Sequence, residues 1–396
     1  MWFALLLTAQ TTGARQPALE GPWRASLETP CGALEFGLEF ARPTPQTLMA
    51  FLVNGEERIE VRDVRLDGTS LVIEMPHYDS RIRATLTEMH LVGTWEKRRS
   101  AATTASVPFQ AHTPGCENPG PIDERILGRW LVDFATDDHD AVAVFQAHAQ
   151  LRCTFLTSTG DYRYLAGYTL DSGLTLSCFD GAHAFLFKAK LQPDGTLAGD
   201  FWSGNWHHET WTAKRDDTAA LADPFAQTKW NGATQLAELA FPDLDGKKRT
   251  FREFAGQPAL LVVFGSWCPN CNDEAALLKR LDERYRSRGL RILGLAFELT
   301  GEFARDAEQV RIFAARHALS IPFFLCGTAD KDEATRALGL VDRVRAFPTT
   351  IFVGTDGLPK AIHSGFAGPA TGAEHEKLVA EFEARIEALL PAPSPR

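Results

Sequence analysis

Residues 259–271 read Ala259-Leu260-Leu261-Val262-Val263-Phe264-Gly265-Ser266-Trp267-Cys268-Pro269-Asn270-Cys271. Ala259 to Phe264 is apolar without alternation, the pattern of a strand buried on both faces of a sheet. Ala275, Leu278, Leu281 and Tyr285 then fall on one face of a helix. The two cysteines therefore stand where a buried strand turns into a helix, on the helix's opening turn. Residues spaced i and i+3 there can close a disulfide with little backbone movement. Pro269 fits the first helical position, where the N–H it lacks has no partner anyway. The Cys268 sulfur faces free N–H groups and the positive end of the helix dipole, which stabilise a thiolate. A thiolate is the species that attacks a disulfide. The spacing predicts Cys268 as the attacking thiol, Cys271 as the resolving thiol, and the two as a redox-active disulfide when oxidised. A zinc site would need a second ligand pair, and the only nearby further cysteine is Cys326. A purely structural disulfide is the other bland alternative.

Outward from this stretch, strands and helices alternate. Leu290 to Phe297 predicts a second buried strand, Glu302 to His317 a helix, and Ile321 to Leu325 a short strand. Thr349 to Val353 predicts another strand, turned by Asp356-Gly357 into Lys360 to His363. A last amphipathic helix runs from about Ala373 to Leu390. The pattern is that of an α/β sheet with helices on both faces. Gly365-Phe366-Ala367-Gly368-Pro369 reads as a mobile connection beside the redox end.

Residues 235–392 resemble the TlpA-like thiol–disulfide oxidoreductases of the thioredoxin superfamily. Phe241-Pro242-Asp243-Leu244-Asp245-Gly246-Lys247, followed by Phe254, is similar to the family's N-terminal hairpin. Trp267-Cys268-Pro269-Asn270-Cys271 is similar to its redox motif, and Phe347-Pro348-Thr349-Thr350 to its proline loop. Gly294-Leu295-Ala296-Phe297-Glu298 resembles its strand ending in an acid. The resemblance implies a thioredoxin-like fold, a cis bond before Pro348, and substrate contacts from Trp267, Pro269, Phe347, Pro348 and Thr349. It also implies Glu298 beside the thiols, where burial would raise its pKa for proton exchange with Cys271. Pro348 lacks an N–H, so the Phe347 edge is expected to accept an extended substrate strand.

The implied role is a reductase of protein disulfides in the cell envelope, fed by an upstream electron donor and using no cofactor beyond the dithiol. Two departures stand out. Val262 occupies the place of thioredoxin's buried acid, and Asn270 precedes the second cysteine, where many relatives carry proline or histidine. That second position tunes redox poise. Peroxiredoxins share the fold but place Thr or Ser three residues before their peroxidatic cysteine. Gly265 stands there, with Ser266 adjacent, so a peroxidase is a rival reading. A binding protein in which the N-terminal region is the working part is the other.

That region, residues 17 to 215, reads as all-β. Arg81 to Thr87 alternates apolar and polar residues. Phe185, Phe187, Ala189 and Leu191 alternate with Leu186, Lys188 and Lys190. Alternation marks antiparallel strands with one buried and one wetter face. Asn54-Gly55, Asp67-Gly68 and Asp194-Gly195 supply turns. An internal repeat is expected over 17–111 and 122–218. Gly21-Pro22-Trp23 and Gly128-Arg129-Trp130 open the copies, and Lys97-Arg98 and Lys214-Arg215 close them. Pro114 to Pro121 links them. Gly-x-Trp with a late Arg is also similar to lipocalin-type barrels, so a duplicated sandwich or barrel is the expected architecture. His207 and His208 are adjacent and point to opposite faces, which speaks against one shared metal.

The chain's 396 residues allow two to three domains, and 44% hydrophobic content supports packed cores. A net charge of −10 argues against a nucleic-acid partner. No apolar run nears the ~18 residues of a membrane span. Trp2 to Ala9, followed by Thr11-Thr12-Gly13-Ala14, resembles a signal peptide over 1–14, and so predicts export to the periplasm or beyond. Of seven cysteines, Cys153 and Cys178 alternate with apolar neighbours and are expected to be buried and free. Cys31 and Cys116 could pair in an oxidising compartment.

Overall fold

The computed structural model describes residues 19–115, 120–136, 141–232 and 235–391. The leader expected over 1–14 lies outside them, as does Cys116. Cys31, Cys153 and Cys178 are free thiols.

The N-terminal region is all antiparallel β, in two nine-stranded sheets. In the first, Gly21–Thr29 pairs with both Gly32–Thr44 and the last strand, Thr104–His112. The sheet curls so that its two edge strands, Glu57–Val61 and Asp63–Asp67, are consecutive in the chain. The second sheet closes. Ala141–Ala147 pairs with Gly128–Phe134 on one side and Leu151–Thr157 on the other. Both sheets are barrel-like, which settles the choice between sandwich and barrel. Period-two burial drives the curl: Trp23, Ala25 and Leu27 are buried while the residues between them face outward.

The two sheets open alike. Trp23 Nε1 donates to Leu19 O at 2.8 Å, and Trp130 Nε1 donates to Ile126 O at 2.8 Å. In the second, Arg215 from the closing strand lies 5.9 Å from the Trp130 ring. Aromatic rings fill that barrel, with Phe155 and Phe201 each stacked 4.4 Å from Phe187.

One expectation about the faces is corrected. Leu186 was expected on a wetter face and is fully buried. Phe179, Ala184, Leu186 and Trp202, on the outer face of the second barrel, join the core of the first. The barrels are fused along this face, so the strand Ala184–Leu191 is buried on both sides over Ala184 to Phe187.

The C-terminal unit is a five-stranded mixed sheet with helices, and Ala259–Phe264 is its central strand. That strand runs parallel to Arg291–Glu298, which runs parallel to Phe323–Thr328. On its other side it runs antiparallel to Thr349–Val353, which pairs with Pro359–Ser364. Four α-helices accompany the sheet: α1 (Pro269–Tyr285), α2 (Phe303–Arg316), α3 (Lys331–Leu338) and α4 (Ala373–Leu389). The short helix α3, capped by the Asp330 side chain, was not anticipated.

Candidate active site: a buried dithiol

Cys268 caps the N-terminus of α1 with extended backbone, and Pro269 follows as the first helical residue. Both cysteines are free thiols, with Cys268 7% and Cys271 2% exposed. The Cys268 thiol donates to Phe347 O at 3.3 Å, and the Phe347–Pro348 peptide is cis. The strand end, the helix start and the proline loop therefore meet at one sulfur. Burial pushes the Cys271 thiol well up, helped by its hydrogen bond and charge interaction with Cys268.

The supporting residues are fixed by hydrogen bonds. Trp267 Nε1 donates to Phe297 O at 2.9 Å, and its ring meets Phe347 edge-on at 5.7 Å. Asn272 Nδ2 donates to Ser266 O (3.1 Å) and Cys268 O (2.9 Å), while its Oδ1 lies 2.7 Å from His317 Nε2. Burial holds His317 down at about 4, so its ring is neutral. Thr349 is fully buried and its hydroxyl donates to Ala346 O at 2.8 Å. Phe347 and Pro348 are also buried. The proline-loop edge expected to meet a substrate strand is covered in this structure. The loop from Gly365 to Pro369 is not loose: Gly365 N donates to Pro348 O (2.9 Å) and Gly368 N to Asp161 Oδ2 (2.6 Å).

Glu298 stands at the end of its strand, 1% exposed. Its carboxylate takes the Ser266 N–H at 2.8 Å and the Ser266 hydroxyl at 2.7 Å. Burial raises its pKa to about 8 against those two bonds. Both oxygens are thus spent on the loop that precedes Trp267.

A second carboxylate escaped the sequence reading. Glu274 lies one turn beyond Cys271 on α1 and is 1% exposed. Thr350 Oγ1 donates to its Oε1 at 2.6 Å, and its Oε2 has no partner among the described residues. Burial raises its pKa to about 7, and its charge is among the influences that raise Cys271. The signal was present: a Glu beside Ala275 and Leu278 on the helix's buried stripe is out of place unless it serves something.

Residues 233–360 match the AhpC/TSA family. The thiol–disulfide oxidoreductase ResA of Halalkalibacterium halodurans is 26% identical over 151 residues, which is 37% of this chain and 73% of that protein. The thioredoxin-like protein YneN of Bacillus subtilis is 24% identical over 33% of this chain and 70% of its own. A solved secreted disulfide oxidoreductase of Mycobacterium tuberculosis covers 39% of this chain and 97% of its own, at 20% identity and TM-score 0.30. The C-terminal unit is thus similar in sequence to thiol–disulfide oxidoreductases and thioredoxin-like proteins. The family match does not reach the β region.

The rival readings are not favoured. Ser266, the hydroxyl adjacent to the peroxidase position, is 1% exposed and bonded to Glu298 rather than facing the thiol. His207 and His208 bond to Glu209 and Asp200 respectively, and no metal-holding cluster occurs among the described residues. A cleft of about 1200 Å³ between the β sheets, lined by Trp23, Glu35 and Tyr168 among others, contains no part of the dithiol. No helix among the described residues is long and apolar enough to cross a membrane.

Proposed function

We propose that the chain exchanges its Cys268–Cys271 dithiol with protein disulfides, working as a reductase in the cell envelope. The observation that carries this reading is the Cys268 thiol, set on the helix N-terminus and 3.3 Å from the carbonyl that precedes the cis proline. The Cys268 thiolate bonds to one sulfur of the substrate disulfide and expels the other as a thiolate, which takes up a proton. Cys271 then bonds to Cys268 and releases the second sulfur. Its proton must leave first, because burial holds the thiol well up. Glu274, raised to about 7 and with a free oxygen, takes that proton. Glu298 serves by holding the Ser266 loop that sets Trp267 and Cys268, so the proton role expected of it passes to Glu274. Trp267, Pro269, Phe347, Pro348 and Thr349 shape the substrate contact, Thr349 through its backbone.

The dithiol is itself the redox group, and an upstream electron donor returns it to the reduced form. Residues 17–111 and 122–218 are two copies of one β unit, and 235–392 the redox unit. Export is supported by the apolar leader and by the chemistry, since disulfide substrates persist in oxidising compartments.

Redox titration in glutathione buffers, with thiol trapping at each point, tests the reading. A reversible two-electron transition lost in Cys268→Ser and in Cys271→Ser supports it, and a midpoint near those of reductants sets the direction. Inert thiols with no transition would refute it.

A further inference from the structure

The second β barrel packs against the start of the redox helix. Its turn at 158–163 lies across the start of α1. At Gly160 the backbone has φ of +151°, and a Cβ built there would stand 1.7 Å from Asn270 Nδ2, between the two cysteines. Only glycine permits that approach. Three residues on, Arg163 is 6% exposed and forks onto three carboxylates. Nη1 reaches Asp273 on α1 at 2.5 Å, Nη2 reaches Glu57 of the first sheet at 2.6 Å, and Nε lies 3.1 Å from Asp180 of the second. One guanidinium thus ties both β sheets to the redox helix. Asp161 joins from the same turn, taking the N–H of Arg163 at 2.7 Å and that of Gly368 at 2.6 Å. A second seam runs alongside. Lys97 donates to Ala182 O at 2.6 Å and Ser80 to Gly181 O at 2.5 Å, while Asp79 pairs with Arg305 on α2.

We propose that the β region is a cap on the redox face, held by Arg163, and that it sets the size of disulfide reaching Cys268. Cys268 and Phe347 are each 7% exposed, which leaves no room for a protein strand, and Gly365, which donates to Pro348 O, lies against the strap, where a Cβ built on it would stand 2.9 Å from Ser158 O. Small disulfides are admitted; a protein disulfide enters when the 158–163 strap lifts. Arg163 is a positioning residue: it touches neither sulfur and acts through Asp273 and the strap. This rests on Cys268 being the attacking thiol, as proposed above.

The test uses the full, pre-reduced chain and labels Cys268 in parallel with iodoacetamide and with a polyethylene-glycol maleimide, read by peptide mass spectrometry. The bulky-to-small rate ratio reports the fraction of open cap. Arg163→Ala is expected to raise that ratio about tenfold, with Arg163→Lys, which keeps the charge and loses the fork, in between. Gly368→Ala is the second variant, because its Cβ would sit 2.8 Å from Asp273 Oδ2 and 2.9 Å from Asp161 Oδ2. It pries the same seam with every charge present, and it decides the question if Arg163→Ala does not fold. In single turnover, reduction of insulin should quicken in these variants while reduction of oxidised glutathione holds steady. An unchanged ratio in a variant with native circular dichroism would overturn the proposal, as would an equal rise with both reagents. Labelling needs no turnover. A chain that reduces neither disulfide but still shifts its ratio would sink the oxidoreductase reading and leave the cap standing.

Discussion

Replacing Glu298 with Gln is expected to erase a pH dependence in the stability of the redox unit. The carboxyl is buried, and its pKa rises from an ordinary 4.5 to about 8. Below 4.5 the group is protonated in both folded and unfolded chains and contributes no pH dependence. As pH climbs from 4.5 to 8, the unfolded chain releases the proton and the folded chain keeps it, so stability falls throughout that window. Above 8 both forms are ionised and the loss is complete, at roughly 3–5 kcal/mol given 1.36 kcal/mol per pH unit. Gln keeps both contacts: its carbonyl accepts the Ser266 N–H, and its amide donates to the Ser266 hydroxyl, which can rotate to accept. Urea unfolding of wild type and Glu298→Gln at pH 5, 6.5 and 8 measures the effect. The two should nearly coincide at pH 5, and the variant should be the more stable by several kcal/mol at pH 8. A difference that does not change with pH would refute the assignment of a protonated Glu298. The variant should also retain most of its disulfide exchange, because Glu298 positions a loop rather than moving a proton.

Glu274→Gln should slow resolution of the mixed disulfide about a hundredfold or more near neutrality and remove an inflection near pH 7 from the stopped-flow rate profile; an unaltered profile would return the proton role to another group. Thr350→Val deletes the donor that favours the charged Glu274, so the same inflection should move to higher pH, and a shift the other way would contradict the hydrogen-bond assignment. Phe187→Ala, at the centre of the stacked rings of the second barrel, should destabilise the β region by about 3–5 kcal/mol, read as a lower unfolding midpoint.

The redox motif was legible because its chemistry is local. A buried strand, two cysteines and a proline within thirteen residues specify a helix-capping thiol without reference to the rest of the chain. The strand Thr349–Val353 was read to the residue for the same reason. The barrels were legible as β and not as closed. Closure depends on Ala141–Ala147 finding a partner on each side, and no periodicity records that. Leu186 was misplaced because alternation gives the two faces and not what covers them. Glu274 was missed as a single acid on an apolar stripe. Arg163 left no signal in its neighbourhood. Its partner Asp273 is 110 residues away, and the residue reaches it from a left-handed turn at φ +60°.

An arginine holding carboxylates suggests a latch that acid would release; Asp180, held down against burial by His183 and Arg163, follows that sign only in strong acid, while Asp273 and Glu57 give the opposite one. Asp273 is raised to about 6 by burial, offset by Arg163 and reinforced by Asp161 and Asp180; burial likewise raises Glu57 and Asp161. Acids with raised pKa values favour the docked state as pH falls, since docking retains protons that the open form releases. The opposing arm is His77, at the turn packed against α2. Burial, with the charges of Arg316 and His317, lowers it to about 3 while Asp180 opposes them. From pH 6.5 downward the open form protonates this ring and the docked form does not, so His77 favours opening. Between pH 4 and 6 the two arms oppose each other, and the intact cap should respond little to acid. His183, which burial also lowers, belongs to the same arm beside Asp180; His77→Asn removes the part of the arm that faces α2 and leaves the carboxylates. The bulky-to-small labelling ratio at Cys268, in which the thiol's own titration cancels, should then fall from pH 7 to pH 5 in the variant and stay nearly level in the wild type. A ratio that rises with acid in His77→Asn would mean that the carboxylates around Arg163 do not control docking.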